Sequence, residues 1–210
     1  MYYKIIYKKI IAPFIKLRDK KWEAKLQKNL QVSEFSIICS NCIGGIIYHR
    51  LGKKFLSPTV NLWINQKEFL KMVKELKKYM EYDLIFIDHP KYNFPVAKLN
   101  DIFIYFNHSK TIDEAKKDWN RRRNRINYDN LYIIMYDRDG ITKEDILSLQ
   151  NIRCRNKIVF SDKSYHGINY VKTVRPNKKI NGISLLDKDL FLRRTFEKKF
   201  DFVKWLNDGI

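Results

Sequence analysis

The chain alternates short apolar runs with stretches whose apolar residues recur every three or four positions. Such spacings predict a helix over residues 66–80, and a capping box at Thr111 begins a second one over residues 111–125. Further helices are predicted over residues 42–51, 142–150 and 200–207, and strands over residues 35–39, 60–64, 84–87, 102–106, 131–136 and 157–160. Residues 161–182 look irregular. Strands that alternate with helices predict an α/β fold with a mainly parallel sheet flanked by helices, in Rossmann-like layers.

Residues 1–30 form a basic amphipathic segment ahead of a single α/β domain over residues 31–210. Six apolar residues of this segment can share one side of a helix, opposite Lys and Arg: Ile5, Ile6, Ile10, Ile11, Phe14 and Leu17. Pro13 is expected to kink this helix or to restart it. The segment suits an anionic membrane surface, and it also suits packing against the domain.

Composition narrows the class of protein. Hydrophobic residues make up 45% of the 210 residues, which is enough to fill a core, so a disordered chain is excluded. Lys and Arg number 42 against 23 Asp and Glu, and the net charge of +19 points to anionic partners or to an AT-rich genome that favours Lys. No nucleic-acid-binding signature accompanies this charge, so no nucleic acid is expected as a partner.

The cysteines and the apolar runs indicate a compartment. Three cysteines are too few for a disulfide scaffold, and the odd number fits a reducing cytoplasm better than secretion. No run reaches the ~18 apolar residues of a membrane span, and the N-terminus lacks a signal-peptide pattern. We therefore expect a cytoplasmic protein, in peripheral contact with the inner face of the plasma membrane if its first 30 residues act as an anchor.

The turn that follows the first predicted strand is the first candidate site. Cys42 would lie where a helix begins, and the free N–H groups and positive dipole end of a helix stabilise a thiolate. Gly44 and Gly45 let a ligand approach the backbone, and their N–H groups could hold an oxyanion. Ser40 and Asn41 could supply further donors. This arrangement predicts a nucleophilic turn for acyl transfer.

Other interpretations of this turn remain open. Cys39 and Cys42 have the spacing of a redox pair, but they lack the aromatic–Cys-Gly-Pro-Cys pattern of thioredoxins. A zinc site is less favoured, because no second pair of ligands has a suitable spacing, and no metal site is predicted. Cys42 could also be a buried, inert residue beside a tight crossing of strand and helix.

Two further loops carry groups for acid–base chemistry. His108 follows a strand and precedes a capped helix, where an imidazole can act as a general base or simply bind backbone. Asp137 and Asp139 follow the most apolar strand and flank an Arg. These carboxylates could orient a His, bind a pair of sugar hydroxyls or hold a metal, and the alternative is a plain turn that uses Gly140.

A cluster of guanidinium groups ends the predicted helix over residues 111–125. Its members are Arg121, Arg122, Arg123 and Arg125. Arginine suits the recognition of phosphate or carboxylate groups, and the alternative is a solvated basic face.

Several short motifs occur along the chain in a characteristic order. Residues 39–45 are Cys-Ser-Asn-Cys-Ile-Gly-Gly and residues 57–62 are Ser-Pro-Thr-Val-Asn-Leu. They are followed by His108, Trp119, Arg121 and Arg122, by Arg-Ile-Asn at residues 125–127 and by Asp-Arg-Asp-Gly at residues 137–140. Together these motifs resemble the exopolysaccharide-biosynthesis family called domain of unknown function 1919. The resemblance covers residues 35 to about 161.

The resemblance implies a role in the synthesis of capsule or exopolysaccharide, and some members of the family are described as O-acetyltransferases. We therefore expect a transferase that moves an acetyl group from acetyl-CoA to a hydroxyl of a capsular sugar or lipid-linked oligosaccharide, with no tightly bound cofactor. The matching motif at residues 57–62 adds Asn61 to the expected substrate-binding residues.

Each candidate residue has an expected role in this reaction. Cys42 would attack the thioester, and His108 would deprotonate the thiol or the sugar hydroxyl. Asp137 or Asp139 would orient His108 or bind the sugar. The phosphates of acetyl-CoA would meet a basic face that includes Arg121, Arg122 and Arg125.

Two other functions remain open at this point. One is a glycosyltransferase or sugar-phosphate transferase of the same pathway, with Asp137 and Asp139 on a divalent metal. The other is a non-catalytic capsule-assembly protein that is held at the membrane by residues 1–30.

Overall fold

The computed structural model describes residues 11–174, 185–189 and 193–208. The helices are α1 (Ala12–Asn29), α2 (Ile43–Arg50), α3 (Gln66–Lys74), α4 (Leu76–Glu81), α5 (Ile112–Arg123), α6 (Lys143–Ser148), α7 (Thr195–Lys199) and α8 (Phe202–Asp208). The strands are β1 (Ser36–Cys39), β2 (Leu84–Ile87), β3 (Val96–Leu99), β4 (Ile102–Tyr105), β5 (Leu131–Tyr136), β6 (Asn156–Ser161) and β7 (Val171–Thr173). The predicted α/β fold is confirmed.

A four-stranded parallel sheet in the order β1-β5-β6-β7 forms the centre of the protein. All six residues of β5 are buried, and they alternate between two cores. Leu131, Ile133 and Met135 face α3, α4 and α5, whereas Tyr132, Ile134 and Tyr136 face α2, α7 and α8. A strand that is buried on both faces gives the continuous apolar run from which its position was predicted.

A second sheet departs from the prediction. The strands predicted over residues 84–87 and 102–106 do form, as β2 and β4, but they pair antiparallel with β3 and not with the central sheet. No strand was predicted at β3, whose four residues include an Ala and an exposed Lys that weaken the apolar signal. Asn100 has a φ of 53° and closes the tight turn between β3 and β4.

Two predicted elements have a different form. Residues 60–64 are not a strand, because Asn61 takes a left-handed φ of 59° and only Trp63 makes a bridge, to Tyr105. The helix predicted over residues 66–80 is divided into α3 and α4 at Glu75, whose φ of −126° interrupts the helical path. The other predicted helices and strands agree with the structure to within about two residues, an ordinary uncertainty of element ends. The region that looked irregular contains β7, and residues 175–184 lie outside the described residues.

The helix α1 forms the described part of the predicted N-terminal segment. Pro13 is the second residue of α1, in the first turn, where a helix tolerates proline. Trp22 and Leu26 pack against the core, which confirms contact with the domain for the second half of α1. Phe14 and Leu17 remain 68% and 54% exposed. Ile5, Ile6 and Ile10 lie outside the described residues, and no described helix is long and apolar enough to cross a membrane.

The open edge of β1 is covered by side chains. The Ile37 N–H donates to the Tyr48 hydroxyl at 2.9 Å, and the Cys39 N–H donates to Oγ1 of Thr59, also at 2.9 Å. An edge strand otherwise presents unpaired donors to solvent. These contacts fix α2 and the segment of residues 57–64 beside the end of β1, where the candidate nucleophile lies.

Candidate active site

Cys42 and His108 lie side by side, although 66 positions separate them in the sequence: Sγ of Cys42 is 3.2 Å from Nε2 of His108. Cys42 is the residue before α2, which follows β1. His108 follows β4 and precedes Thr111, the N-cap of α5. The small antiparallel sheet thus brings an imidazole to the carboxyl end of the first parallel strand, which is where ligands bind in open α/β sheets.

The surroundings of Cys42 favour a neutral thiol. Burial raises the pKa of this thiol, and the positive charge of Arg194 only partly opposes the rise. Burial therefore acts against the thiolate expected at the start of this helix, and that thiolate stays a prediction. At 3.2 Å, Nε2 of His108 is within reach of the proton of the Cys42 thiol.

The turn before α2 is held by its own side chains. Oδ1 of Asn41 accepts a hydrogen bond from the Ile43 N–H at 3.0 Å and another from the Cys39 thiol at 3.3 Å. Asn41 therefore caps the first turn of α2, whose N-cap residue Cys42 offers no side-chain cap. The side chain of Asn41 is buried and points into the turn, so it holds in place the turn that carries Cys42.

Ser40 is fully buried and does not face a ligand. Its hydroxyl donates to Oε1 of Gln66 at 3.0 Å, and Oε1 also accepts from the Tyr136 N–H at 3.1 Å. The predicted role of Ser40 as a donor to a substrate oxyanion is corrected here. The hydroxyl instead links the ends of β1 and β5 through the first residue of α3.

The two glycines permit close packing of α2. A Cβ on Gly44 would lie 3.1 Å from Cβ of Cys39 and 3.3 Å from Cγ2 of Ile37. A Cβ on Gly45 would lie 2.6 Å from Oδ1 of Asn61. The space in front of both residues is thus filled by protein, and not by an approaching ligand. The role of their N–H groups in holding an oxyanion stays a prediction.

Cys39 is a buried thiol of low reactivity. Burial raises its pKa to about 12, while nearby N–H groups of the turn, including that of Gly44, partly oppose the rise. All three cysteines are free. Because exchange between thiols and disulfides requires a thiolate, this environment does not favour a redox pair of Cys39 and Cys42.

The predicted carboxylates lie at the same edge of the sheet but face other partners. The side chain of Asp137 is only 2% exposed, and its Oδ2 accepts hydrogen bonds from the hydroxyls of Ser161 at 2.7 Å and Tyr165 at 2.8 Å. Burial and this contact raise the pKa of Tyr165 to about 12. Asp137 thus joins the ends of β5 and β6, and it makes no hydrogen bond to His108.

Asp139 holds the start of α3. It has a φ of 56°, and its Oδ2 accepts from the Gln66 N–H at 3.3 Å and pairs with Nε of Arg138 at 3.4 Å. Neither this carboxylate nor Asp137 contacts His108, so the prediction that one of them orients the imidazole is corrected. Within the described ranges, no group of three or more His, Cys, Asp or Glu side chains is placed to hold a metal ion.

The predicted arginines differ in how much of their charge is available. Arg122 is nearly buried: it pairs with Asp118, donates to the carbonyl oxygen of Val60 at 3.3 Å and lies over the ring of Phe55. Its contacts fix the segment that carries Asn61, which corrects its predicted role toward a ligand phosphate. Arg121 is exposed and pairs with Asp118, and Arg125 is half-buried.

Comparison with known proteins now adds the family. The family described as a domain of unknown function (DUF1919) matches residues 14–207. This chain belongs to that family. A relative from Haemophilus influenzae, an uncharacterized protein, is 33% identical over 183 residues, which are 87% of this chain and 88% of the relative. The match extends the resemblance seen in the motifs to both ends of the described domain.

Sequence reasoning missed three contributors to this DUF1919 site. Arg194, which precedes α7, supplies the positive charge near Cys42. Gln66 joins Ser40, Tyr136 and Asp139. A group of aromatic rings surrounds Tyr105, which lies three residues before His108. The sequence could have pointed only to the aromatic residues around positions 89–94, because the other two contacts join elements that are far apart in the chain.

Proposed function

We propose that this protein is a cysteine-dependent acyltransferase that moves an acetyl group from acetyl-CoA to a hydroxyl of a sugar during the synthesis of capsule or exopolysaccharide. The observation that carries the proposal is the 3.2 Å contact between Sγ of Cys42 and Nε2 of His108 at the start of a helix. A nucleophile that touches its base in this way is the signature of covalent catalysis. The resemblance of the motifs to the exopolysaccharide family supports the choice of a sugar as acceptor.

The first half-reaction acetylates the enzyme. His108 takes the proton of the Cys42 thiol while Sγ attacks the thioester carbonyl carbon of acetyl-CoA. The tetrahedral intermediate collapses, the bond from carbon to the sulfur of CoA breaks, and His108 returns the proton to the departing thiolate. The products are S-acetyl Cys42 and free CoA. A base is required here because the pKa of the thiol is raised.

The second half-reaction transfers the acetyl group to the sugar. His108 takes the proton of a sugar hydroxyl, whose oxygen attacks the carbonyl carbon on Cys42. The bond from carbon to Sγ breaks, the sugar leaves as an O-acetyl ester, and the proton passes from His108 to Cys42. Both half-reactions place negative charge on the carbonyl oxygen. Gly45 is the better donor to that oxygen, because the Gly44 N–H lies beside the sulfur of Cys39.

The test follows S-acetylation by intact mass after the protein is mixed with acetyl-CoA. The native protein is expected to gain one acetyl group, which peptide mapping places on Cys42. Cys42→Ala is expected to gain none, and His108→Ala is expected to be at least a hundredfold slower, since general base catalysis contributes about 10²–10⁴-fold. Cys154→Ser and His49→Ala serve as matched controls, because Cys154 is half-buried and His49 is exposed without a contact to Cys42 or His108.

Two results would contradict the proposal. Acetylation of Cys42→Ala at the native rate would remove the nucleophile, and an equal rate for His108→Ala would remove the base. The pathway is tested separately, by mass and NMR analysis of the polysaccharide from a strain that lacks the gene. Loss of O-acetyl groups with an unchanged sugar backbone is expected, and an unchanged acetyl content would exclude this acceptor.

A further inference from the structure

Five half-exposed rings form a cluster on the outer side of the small antiparallel sheet. We refer to them as the aromatic platform: Trp63, His89, Tyr92, Phe94 and Tyr105. The rings of Trp63 and Tyr105 lie 4.1 Å apart, and those of Tyr92 and Phe94 are stacked at 4.9 Å. The rings of Tyr92 and Tyr105 meet edge to face at 5.3 Å, which joins the two pairs.

The centre of the platform is rigid. Trp63 and Tyr105 exchange two backbone hydrogen bonds of 2.9 Å each, so both rings project from an antiparallel bridge. On β4 the neighbours Ile102 and Ile104 point to the core, which leaves Tyr105 on the opposite face. Rigid aromatic side chains offer a large contact area and lose little conformational entropy when they bind a partner.

Residues of the platform are close in the chain both to His108 and to the segment that packs beside Cys42. Tyr105 lies three residues before His108, and three steps of ~3.8 Å put their Cα atoms at most about 11 Å apart. Trp63 lies two residues after Asn61, whose carboxamide rests against Gly45 in the first turn of α2. The backbone that carries the platform thus lies within roughly two sugar units of His108 and close to the first turn of α2.

Polar side chains neighbour the rings in the sequence. Asn61, Asp88, Lys91 and Asn93 are exposed beside them in sequence, and the half-buried Glu68 is close enough to raise the pKa of Tyr105, behind the larger effect of burial. A surface of flat rings edged by hydrogen-bonding groups matches a pyranose, which has an apolar face of C–H groups and a rim of hydroxyls.

We propose that the aromatic platform binds a pyranose ring of the acceptor glycan and presents a hydroxyl of the neighbouring sugar to Cys42 and His108. The inference rests on the proposed function, since it names the acceptor side of that same site. Stacking of this kind orients the sugar and leaves the donor half-reaction unaffected, because acetyl-CoA reacts with Cys42 before the sugar is needed. Tyr92 is the most informative residue, since its ring contacts Trp63, His89, Phe94 and Tyr105.

Binding is measured first without catalysis. Saturation-transfer NMR on the Cys42→Ala protein uses methyl glycosides of glucose, galactose, mannose and N-acetylglucosamine as probes. At least one probe is expected to bind through its C–H face. Tyr92→Leu is expected to weaken that binding about tenfold, which corresponds to ~1.4 kcal/mol. Phe14→Leu removes an exposed ring on α1 and is expected to change nothing, while Tyr92→Phe keeps the ring and is expected to retain binding.

Catalysis supplies the second readout. Tyr92→Leu in an otherwise native protein is expected to raise the KM for the acceptor about tenfold and to leave the rate of Cys42 acetylation unchanged. Phe94→Leu is a second variant should Tyr92→Leu fail to fold. If Cys42 is acetylated but neither variant alters sugar binding or KM, the platform proposal is wrong while the proposed function stands. If no protein acetylates Cys42 but the probes bind through Tyr92, the proposed function is wrong and the sugar site stands.

One further arm tests a different occupant of the platform. The same variants are mixed with vesicles of neutral phospholipid. Binding to vesicles that is lost in Tyr92→Leu, without any binding of the glycosides, would overturn the assignment to a sugar in favour of a lipid surface.

Discussion

The carboxamide oxygen of Asn61 lies 2.6 Å from the place that a Cβ on Gly45 would occupy. Asn61 reaches this place from a left-handed backbone conformation that non-glycine residues seldom adopt. The segment of residues 57–64 therefore packs against the first turn of α2, directly beside the candidate nucleophile. Its position is also held by the contact between Thr59 and Cys39 and by that between Arg122 and Val60.

The glycines of α2 predict two different responses to an added methyl group. Gly44→Ala places Cβ against Cβ of Cys39 and Cγ2 of Ile37, which belong to β1 and cannot move aside. We expect the free energy of unfolding to fall by about 1–3 kcal/mol, as measured in urea. Gly45→Ala meets the movable carboxamide of Asn61 and also Cγ1 of Val60 at 3.0 Å, so we expect a loss that movement of the Asn61 side chain relieves only in part. Removing the carboxamide in Gly45→Ala with Asn61→Gly should restore part of the stability, and a double variant that is additive would show that the two residues do not interact.

The state of the Cys42 thiol predicts a pH profile for alkylation. Because burial raises its pKa, the reactive thiolate is a minor species at pH 7, and the rate of reaction with iodoacetamide should rise about tenfold from pH 7 to pH 8. Cys42→Ser measures the background from Cys39 and Cys154. Arg194→Gln removes a charge that lowers the pKa, so its profile should shift to higher pH. A rate that is constant from pH 6 to 9 would instead indicate a thiolate paired with an imidazolium ion.

The Tyr48 hydroxyl predicts a measurable share of stability. It accepts from the Ile37 N–H at 2.9 Å and donates to the carbonyl oxygen of Phe35 at 2.8 Å, and all three residues are buried. Tyr48→Phe leaves both backbone groups without a partner, and we expect a loss of about 2 kcal/mol in urea unfolding. Tyr128→Phe is the matched control, because Tyr128 is half-buried and its hydroxyl makes no hydrogen bond within the described residues. An equal effect of both variants would show that the hydroxyl does not stabilise the edge of β1.

The exposed side of α1 predicts binding to anionic membranes. Phe14 and Leu17 face solvent among the exposed Lys16, Lys20 and Lys21. The protein should sediment with vesicles that contain phosphatidylglycerol, less so at high salt, and Phe14→Ser with Leu17→Ser should release it.

The matched control for this prediction is Ile85→Ser. Ile85 is 64% exposed on β2 and belongs to another surface. Its substitution should leave sedimentation unchanged. Binding that ignores salt, or that the control abolishes equally, would contradict an anchor in α1.

The sequence by itself determined most of the local structure. Thr111 and Thr142 cap α5 and α6 as predicted, although Glu114 accepts from the Lys110 N–H and not from that of Thr111, so the box predicted at Thr111 is only half formed. Strand β5 lies where the apolar run placed it. The position of Cys42 at the start of a helix was also predicted from the residues around it. These features are set by residues close together in the chain, where periodicity and side-chain caps act over a few positions.

Only the tertiary structure decided which of these elements meet. Apolar periodicity records that a face is buried but not what it is buried against, so the sequence could not show that β2 and β4 join a second sheet with β3, or that this sheet carries His108 to Cys42. The sequence could not predict the rise in the pKa of the Cys42 thiol for the same reason, because the burial of the sulfur depends on every element that packs around it. Local patterns therefore fixed the pieces of the site, and contacts between distant segments fixed its chemistry.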